Sequence, residues 1–152
     1  MLRISKLTDY GTVVLACLAV RPGHRHTAAA VAERTGLGLP TVSKLLKSFH
    51  RAGIVTSTRG AHGGYQLARD SGSISLADVI QAIDGPLTVT ACSVHSQRCG
   101  QFATCNVRDP LWKIRELILG ALATCTVSEM ATDEVRPGSL DRLTLAHASP
   151  PR

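Results

Sequence analysis

The chain has 152 residues, is 44% hydrophobic but only 3% aromatic, and carries a formal net charge of +6. That is enough for one compact domain with an aliphatic core, or a small domain with an appended element. No apolar run reaches the roughly 18 residues needed to span a bilayer. The opening Met1-Leu2-Arg3-Ile4-Ser5-Lys6 also lacks the long apolar stretch of a secretory signal. These features predict a cytoplasmic protein with reduced thiols and no membrane partner. The charge is uneven: residues 1–70 carry ten Lys/Arg against three acids, whereas residues 71–152 carry seven against eight. A basic N-terminal half favours contact with phosphate.

Thr8 or Asp9 is placed to cap a first helix, which the apolar run Val13–Val20 would bury and Pro22-Gly23 would end. Thr27 then caps a short helix, Ala28 to Thr35, stopped by Gly36. Leu37-Gly38-Leu39 reads as a tight turn, and Pro40 suits the first turn of a third helix ending near Ala52. Val42, Leu45, Leu46 and Phe49 form its apolar stripe. Ile54–Thr58 and Tyr65–Leu67 read as two strands joined by the glycine-rich turn Arg59-Gly60-Ala61-His62-Gly63-Gly64. The fold class is therefore mainly α with a small β-hairpin, in the element order of a winged helix-turn-helix.

Ser75 caps a further amphipathic helix, Leu76 to Ile83. A loop with three cysteines follows, and Asp109-Pro110 opens a long helix to about Glu129. Its apolar positions, from Leu111 through Cys125, recur at threes and fours with no obvious place to be buried, which predicts a dimerisation helix. From Ala131 the chain is polar and Pro-punctuated, as expected of a poorly ordered tail. The expected organisation is a winged helix-turn-helix DNA-binding domain over 1–86, a cysteine-rich loop over 87–108, a dimerisation helix over 109–130 and a tail over 131–152.

Two constellations carry chemistry. In the third helix, Thr41, Ser43 and Lys44 are placed for base edges, and Lys47 and Arg51 for phosphate. At the wing tip, Gly60, Gly63 and Gly64 permit close backbone approach, and Arg59 is the candidate for the narrow minor groove. The expected partner is double-stranded operator DNA. The second constellation is Cys92, Cys99 and Cys105, whose wide gaps suit an iron–sulfur cluster better than the tight C-x-x-C pairs of zinc sites. Zinc or redox-active thiols stay open on spacing alone, as does the choice of a fourth ligand among His95, His62 and Asp9. Cys17 and Cys125 lie on apolar helix faces and read as small hydrophobes. No nucleotide loop, C-x-x-C pair or nucleophile with an evident base points to an enzyme.

Leu7-Thr8-Asp9-Tyr10-Gly11, the wing Arg59–Leu67, Leu76-Ala77-Asp78-Val79-Ile80 and the cysteine loop followed by Trp112 together resemble the Rrf2 family of winged-helix regulators, which includes IscR and NsrR. Asn106–Trp112 and the N-terminal motif look most like its regulators of Suf iron–sulfur assembly genes. The resemblance spans about residues 1–130. It implies a homodimer with crossing long helices and a [2Fe-2S] or [4Fe-4S] cluster, held by the three cysteines, whose state alters operator binding, as in a repressor. IscR-like members use a histidine shortly after the third cysteine. Here Asn106, Val107 and Arg108 stand there. NsrR-like members use an aspartate of the partner's first helix, and Asp9 matches that position.

Overall fold

A computed structural model of the chain describes residues 4–60, 62–88 and 104–131. Cys92, His95, Cys99 and the tail from residue 132 lie outside the described residues. Among the described residues, no helix is long and apolar enough to cross a membrane.

The first helix, α1 (Lys6–Ala19), starts earlier than its sequence suggests. Ser5 is its cap, the hydroxyl oxygen accepting the Thr8 backbone N–H at 3.1 Å. Thr8, expected as the cap, is fully buried, and its hydroxyl donates to Asp84 Oδ2 at 2.7 Å. The Ser5 hydroxyl donates to Asp84 Oδ1 at 2.8 Å, so one carboxylate pins the start of α1. Asp84 itself is the C-cap of α4 (Leu76–Ile83), which Ser75 and Asp78 open with a reciprocal capping box.

Helix α2 (Ala28–Thr35) is capped by Thr27 and stopped by Gly36 in the left-handed region. Helix α3 (Leu39–Arg51) follows after a turn of three residues, Gly36 to Gly38. Strands β1 (Val55–Thr58) and β2 (Gly64–Leu67) pair antiparallel, with Val55 opposite Leu67 and Thr58 opposite Gly64. A third strand is reduced to one residue. The His26 N–H donates to the Tyr65 carbonyl at 2.9 Å, and the Tyr65 N–H returns the bond at 2.8 Å. At Gly64 a Cβ would stand 2.8 Å from the His26 carbonyl oxygen, so this close approach requires glycine.

One core unites these elements. Val14, Leu15 and Leu18 of α1 meet Val31 of α2, the Val42/Leu45/Leu46/Phe49 stripe of α3, Val55 of β1 and Val79 of α4. Gly11 lets α1 lie close against its neighbours: a Cβ there would come within 3.0 Å of Phe49 and nearer still to Ile83.

The long C-terminal helix, α5 (Arg108–Thr124), is shorter than the span to Glu129 that its periodicity predicts, and Asp109 does not cap it. Its N-cap is Val107, and the Asp109 carboxylate instead accepts from Arg108 Nε at 2.9 Å. The helix breaks at Cys125, whose backbone is extended. Tertiary pairing is the cause: the Cys125 carbonyl accepts from the Leu76 N–H, and the Val127 N–H donates to the Ile74 carbonyl, both at 2.8 Å. Thr126 and Glu129 then form a second capping box, opening α6 (Val127–Met130) and seating Val127 in the shared core. Helix α5 packs against α4 but buries none of its own residues.

Candidate nucleic-acid interface and sensor region

The apolar stripe anchors α3 on the domain and turns its other faces outward. Lys44, Lys47 and Arg51 are exposed and spaced so that they share one helix face, with Thr41 and Ser43 half-buried near its leading end. Arg51, at the trailing end, also borders a cleft of about 460 Å³ with Ser48, Arg69, Asp78 and Gln81. There Arg69 pairs with Asp78 at 2.9 Å. In the wing, Arg59 and Gly60 are exposed, and Gly63 and Gly64 are partly so. The Gly63 N–H donates to the Gly60 carbonyl at 2.9 Å and closes the turn. A Cβ at Gly63 would stand 2.3 Å from the Thr58 carbonyl oxygen, so its replacement would push the turn apart.

Of the three cysteines expected as cluster ligands, Cys105 is a half-buried thiol three residues before α5, with no disulfide partner among the described residues. Asp9 lies exposed in the first turn of α1, with no hydrogen bond or ion pair to its carboxylate among the described residues. His62 is exposed on the wing. Among the described residues no three His, Cys, Asp or Glu converge on a metal position. Burial pushes the Cys17 thiol up, with Arg34 pulling weakly the other way, and burial and Glu129 both push Cys125 up. Both shifts disfavour the thiolate that ligation requires.

His26 is a feature that sequence reasoning missed. Its side chain is 6% exposed, and among the described residues Nε2 has no partner. The His24 ring stands edge-on at 4.7 Å. Burial holds the His26 imidazole below its ordinary pKa, and the charges of His24, Arg34 and Arg21 push it the same way. The unfolded chain takes up this proton near pH ~6.5, and the folded chain only at lower pH. The stability it contributes is therefore present above about pH 6.5 and lost as pH falls from there through the lowered folded value. Melting curves between about pH 7.5 and 5 should show this loss, limited for one proton to about 1.4 kcal/mol per pH unit. His26→Phe should flatten that part of the profile, and a variant with the wild-type profile would refute the assignment.

A winged helix with an outward basic helix and a glycine-closed wing is what the Rrf2 family model, described as an iron-dependent transcriptional regulator, matches over residues 4–133. The chain belongs to the Rrf2 family. It is similar to Protein rrf2 of Nitratidesulfovibrio vulgaris (strain Hildenborough), at 28% identity over 87% of this chain and 89% of that one. Among solved structures it is similar to CymR, the global cysteine regulator of B. subtilis, with a TM-score of 0.65 and 25% identity over 86% of this chain and 97% of that one. It is likewise similar to T. potens IscR, with a TM-score of 0.63 and 30% identity over 85% of each chain. As an Rrf2-family member the protein is a DNA-binding transcriptional regulator, and neither the family nor these structural neighbours are enzymes.

Proposed function

We propose that this Rrf2-family regulator is a homodimeric repressor of iron–sulfur assembly genes, with a [2Fe-2S] or [4Fe-4S] cluster on Cys92, Cys99 and Cys105. The observation that carries this reading is the position of Cys105. It is a thiol with no disulfide partner among the described residues, at the root of α5, a 17-residue helix with no buried residue, so the cysteine loop leads straight into the surface best suited to a second copy. The donor set fits the group: three thiolates are favoured by iron, and the unengaged carboxylate of Asp9 is a chemically suitable fourth ligand. Bound there, a cluster would supply iron–thiolate bonds that depend on iron supply and redox state.

The chain's own residues transmit that state. Asp9 belongs to α1, which packs directly on α2 and α3. A tie between the partner's cysteine loop and Asp9 would fix where each α3 lies. Since a dimer reads half-sites at a set spacing, displacing α3 lowers operator affinity. Thr41, Ser43 and Lys44 would meet base edges, Lys47 and Arg51 phosphates, and Arg59 with Gly60, Gly63 and Gly64 the adjacent groove. In this reading residues 1–86 are the DNA-binding unit, 87–108 the sensor loop and 109–130 the dimer element, with Val127 anchoring the last back onto the first.

The similarity to CymR, a global cysteine regulator, supports a second reading in which the cysteines act as redox thiols, and their spacing also admits zinc. An absorption spectrum with iron and acid-labile sulfide counts, on protein purified without oxygen, separates the two. Brown protein with matched iron and sulfide is expected. Protein that stays colourless after reconstitution leaves DNA binding standing and moves the cysteines to the second reading.

A further inference from the structure

The sequence places Leu39 in the three-residue turn before the third helix, and of that turn Leu37 packs against the core. Instead Leu39 takes the first position of α3 and stands 47% exposed, and the next residue, Pro40, is exposed as well. The domain does not need Leu39 for packing: Val42, Leu45, Leu46 and Phe49, each at most 1% exposed, already fasten the helix. An isolated surface leucine is unremarkable, but the position of this one is informative. Helical Cα–Cβ bonds tilt toward the N-terminus, so Leu39 leads α3 into whatever its first turn meets. Ser43 lies one helical turn further along the same side.

In helix-turn-helix recognition, the leading residues of this helix meet base edges in the major groove. The apolar feature a base pair offers there is the thymine C5-methyl group. A half-exposed leucine at this point has no polar edge to bond and gains only by covering that methyl. We propose that Leu39 is a specificity-determining residue that reads a thymine methyl in each operator half-site, next to the base met by Ser43. The proposal rests on α3 being the sequence-reading helix.

Selection of a random duplex library with the wild-type protein yields the preferred operator for the test. Each thymine is then replaced in turn by deoxyuridine, which deletes the methyl alone. At one thymine per half-site, this should weaken wild-type binding by roughly three- to tenfold. Leu39→Ala should bind the unmodified operator more weakly by a similar factor and be indifferent to deoxyuridine there, while Leu39→Met retains the dependence. The salt dependence of binding, set by phosphate contacts, should be the same for all three proteins, and matched melting curves should show that α3 is intact. A preferred operator at which every deoxyuridine affects wild type and Leu39→Ala alike overturns this proposal alone. A library that yields no preferred sequence overturns it together with the reading of α3.

Discussion

Replacing Cys92, Cys99 and Cys105 together with alanine is expected to abolish the visible chromophore of anaerobically prepared protein, whereas Cys17→Ala or Cys125→Ala leaves it intact. The contrast follows from the sequence spacing of the three loop cysteines and from what the fold does to Cys17 and Cys125. Ligation requires the thiolate, and burial raises the cost of that form at Cys17 and Cys125. Cys17 also packs in the core among Val14, Leu15 and Leu18. Cys105 is half-buried just before a helix that makes no core of its own, so its replacement removes little packing. The triple variant should therefore melt within about 1 kcal/mol of the wild-type apo-protein while losing all iron and sulfide, and its operator affinity should no longer change on reconstitution. Colour retained in the triple variant would sink the cluster assignment. Iron bound equally well without Cys17 or Cys125 is part of the same expectation, and its loss in either variant would add that thiol to the ligand set.

What the sequence revealed and what it hid divide by the range of the interactions involved. Helix α2 was legible because Thr27 and Gly36 act on their own turns, and Ser75 announced α4 in the same way, its reciprocal box with Asp78 being added by the structure. The hairpin was legible because β-branched residues flank glycines that the turn needs. The start of α1 was not, since Ser5 and Thr8 are positioned by Asp84, 76 or more residues away. The end of α5 was missed for the same reason. Its apolar period continues through Cys125, but backbone pairing with Ile74 and Leu76 overrides it.

The site was legible to a similar degree. Lys44, Lys47 and Arg51 could be assigned to one face from helical spacing alone. Leu39 could not, because whether a residue beside a glycine belongs to a turn or to the first turn of a helix depends on how the preceding helix packs. The one-residue strand at His26 has no periodicity to detect, and its buried imidazole becomes visible only once β2 lies against it. The cysteine spacing was plain in the chain, but a spacing names a chemistry only when the donors around it are known.

Leu117→Asp is expected to turn the proposed dimer into a monomer with almost no loss of domain stability. Leu117 is 72% exposed, Trp112 57% and Ile114 45%, all on a helix with no buried residue. An aspartate at Leu117 therefore disturbs nothing within its own chain, and the melting temperature should stay within about 2–4 °C of the wild-type value. Between two copies the same carboxylate would have to be desolvated twice, at several kcal/mol, against an interface that a stable dimer builds from about 800 Å² per partner. Sedimentation at roughly 10 μM protein should show the monomer mass. The DNA consequence follows from linkage of the two half-sites: a tethered second domain acts at an effective concentration near the millimolar range, so its loss should weaken operator binding by about 10²–10⁴-fold. Phe49→Ala provides the opposite control, since Phe49 is fully buried and emptying the centre of the core should cost about 3–5 kcal/mol of domain stability. If Leu117→Asp remains dimeric with full operator affinity, α5 is not the surface that joins the copies, and the exposed Val13 of α1 and Val20 at its C-cap become the next place to look.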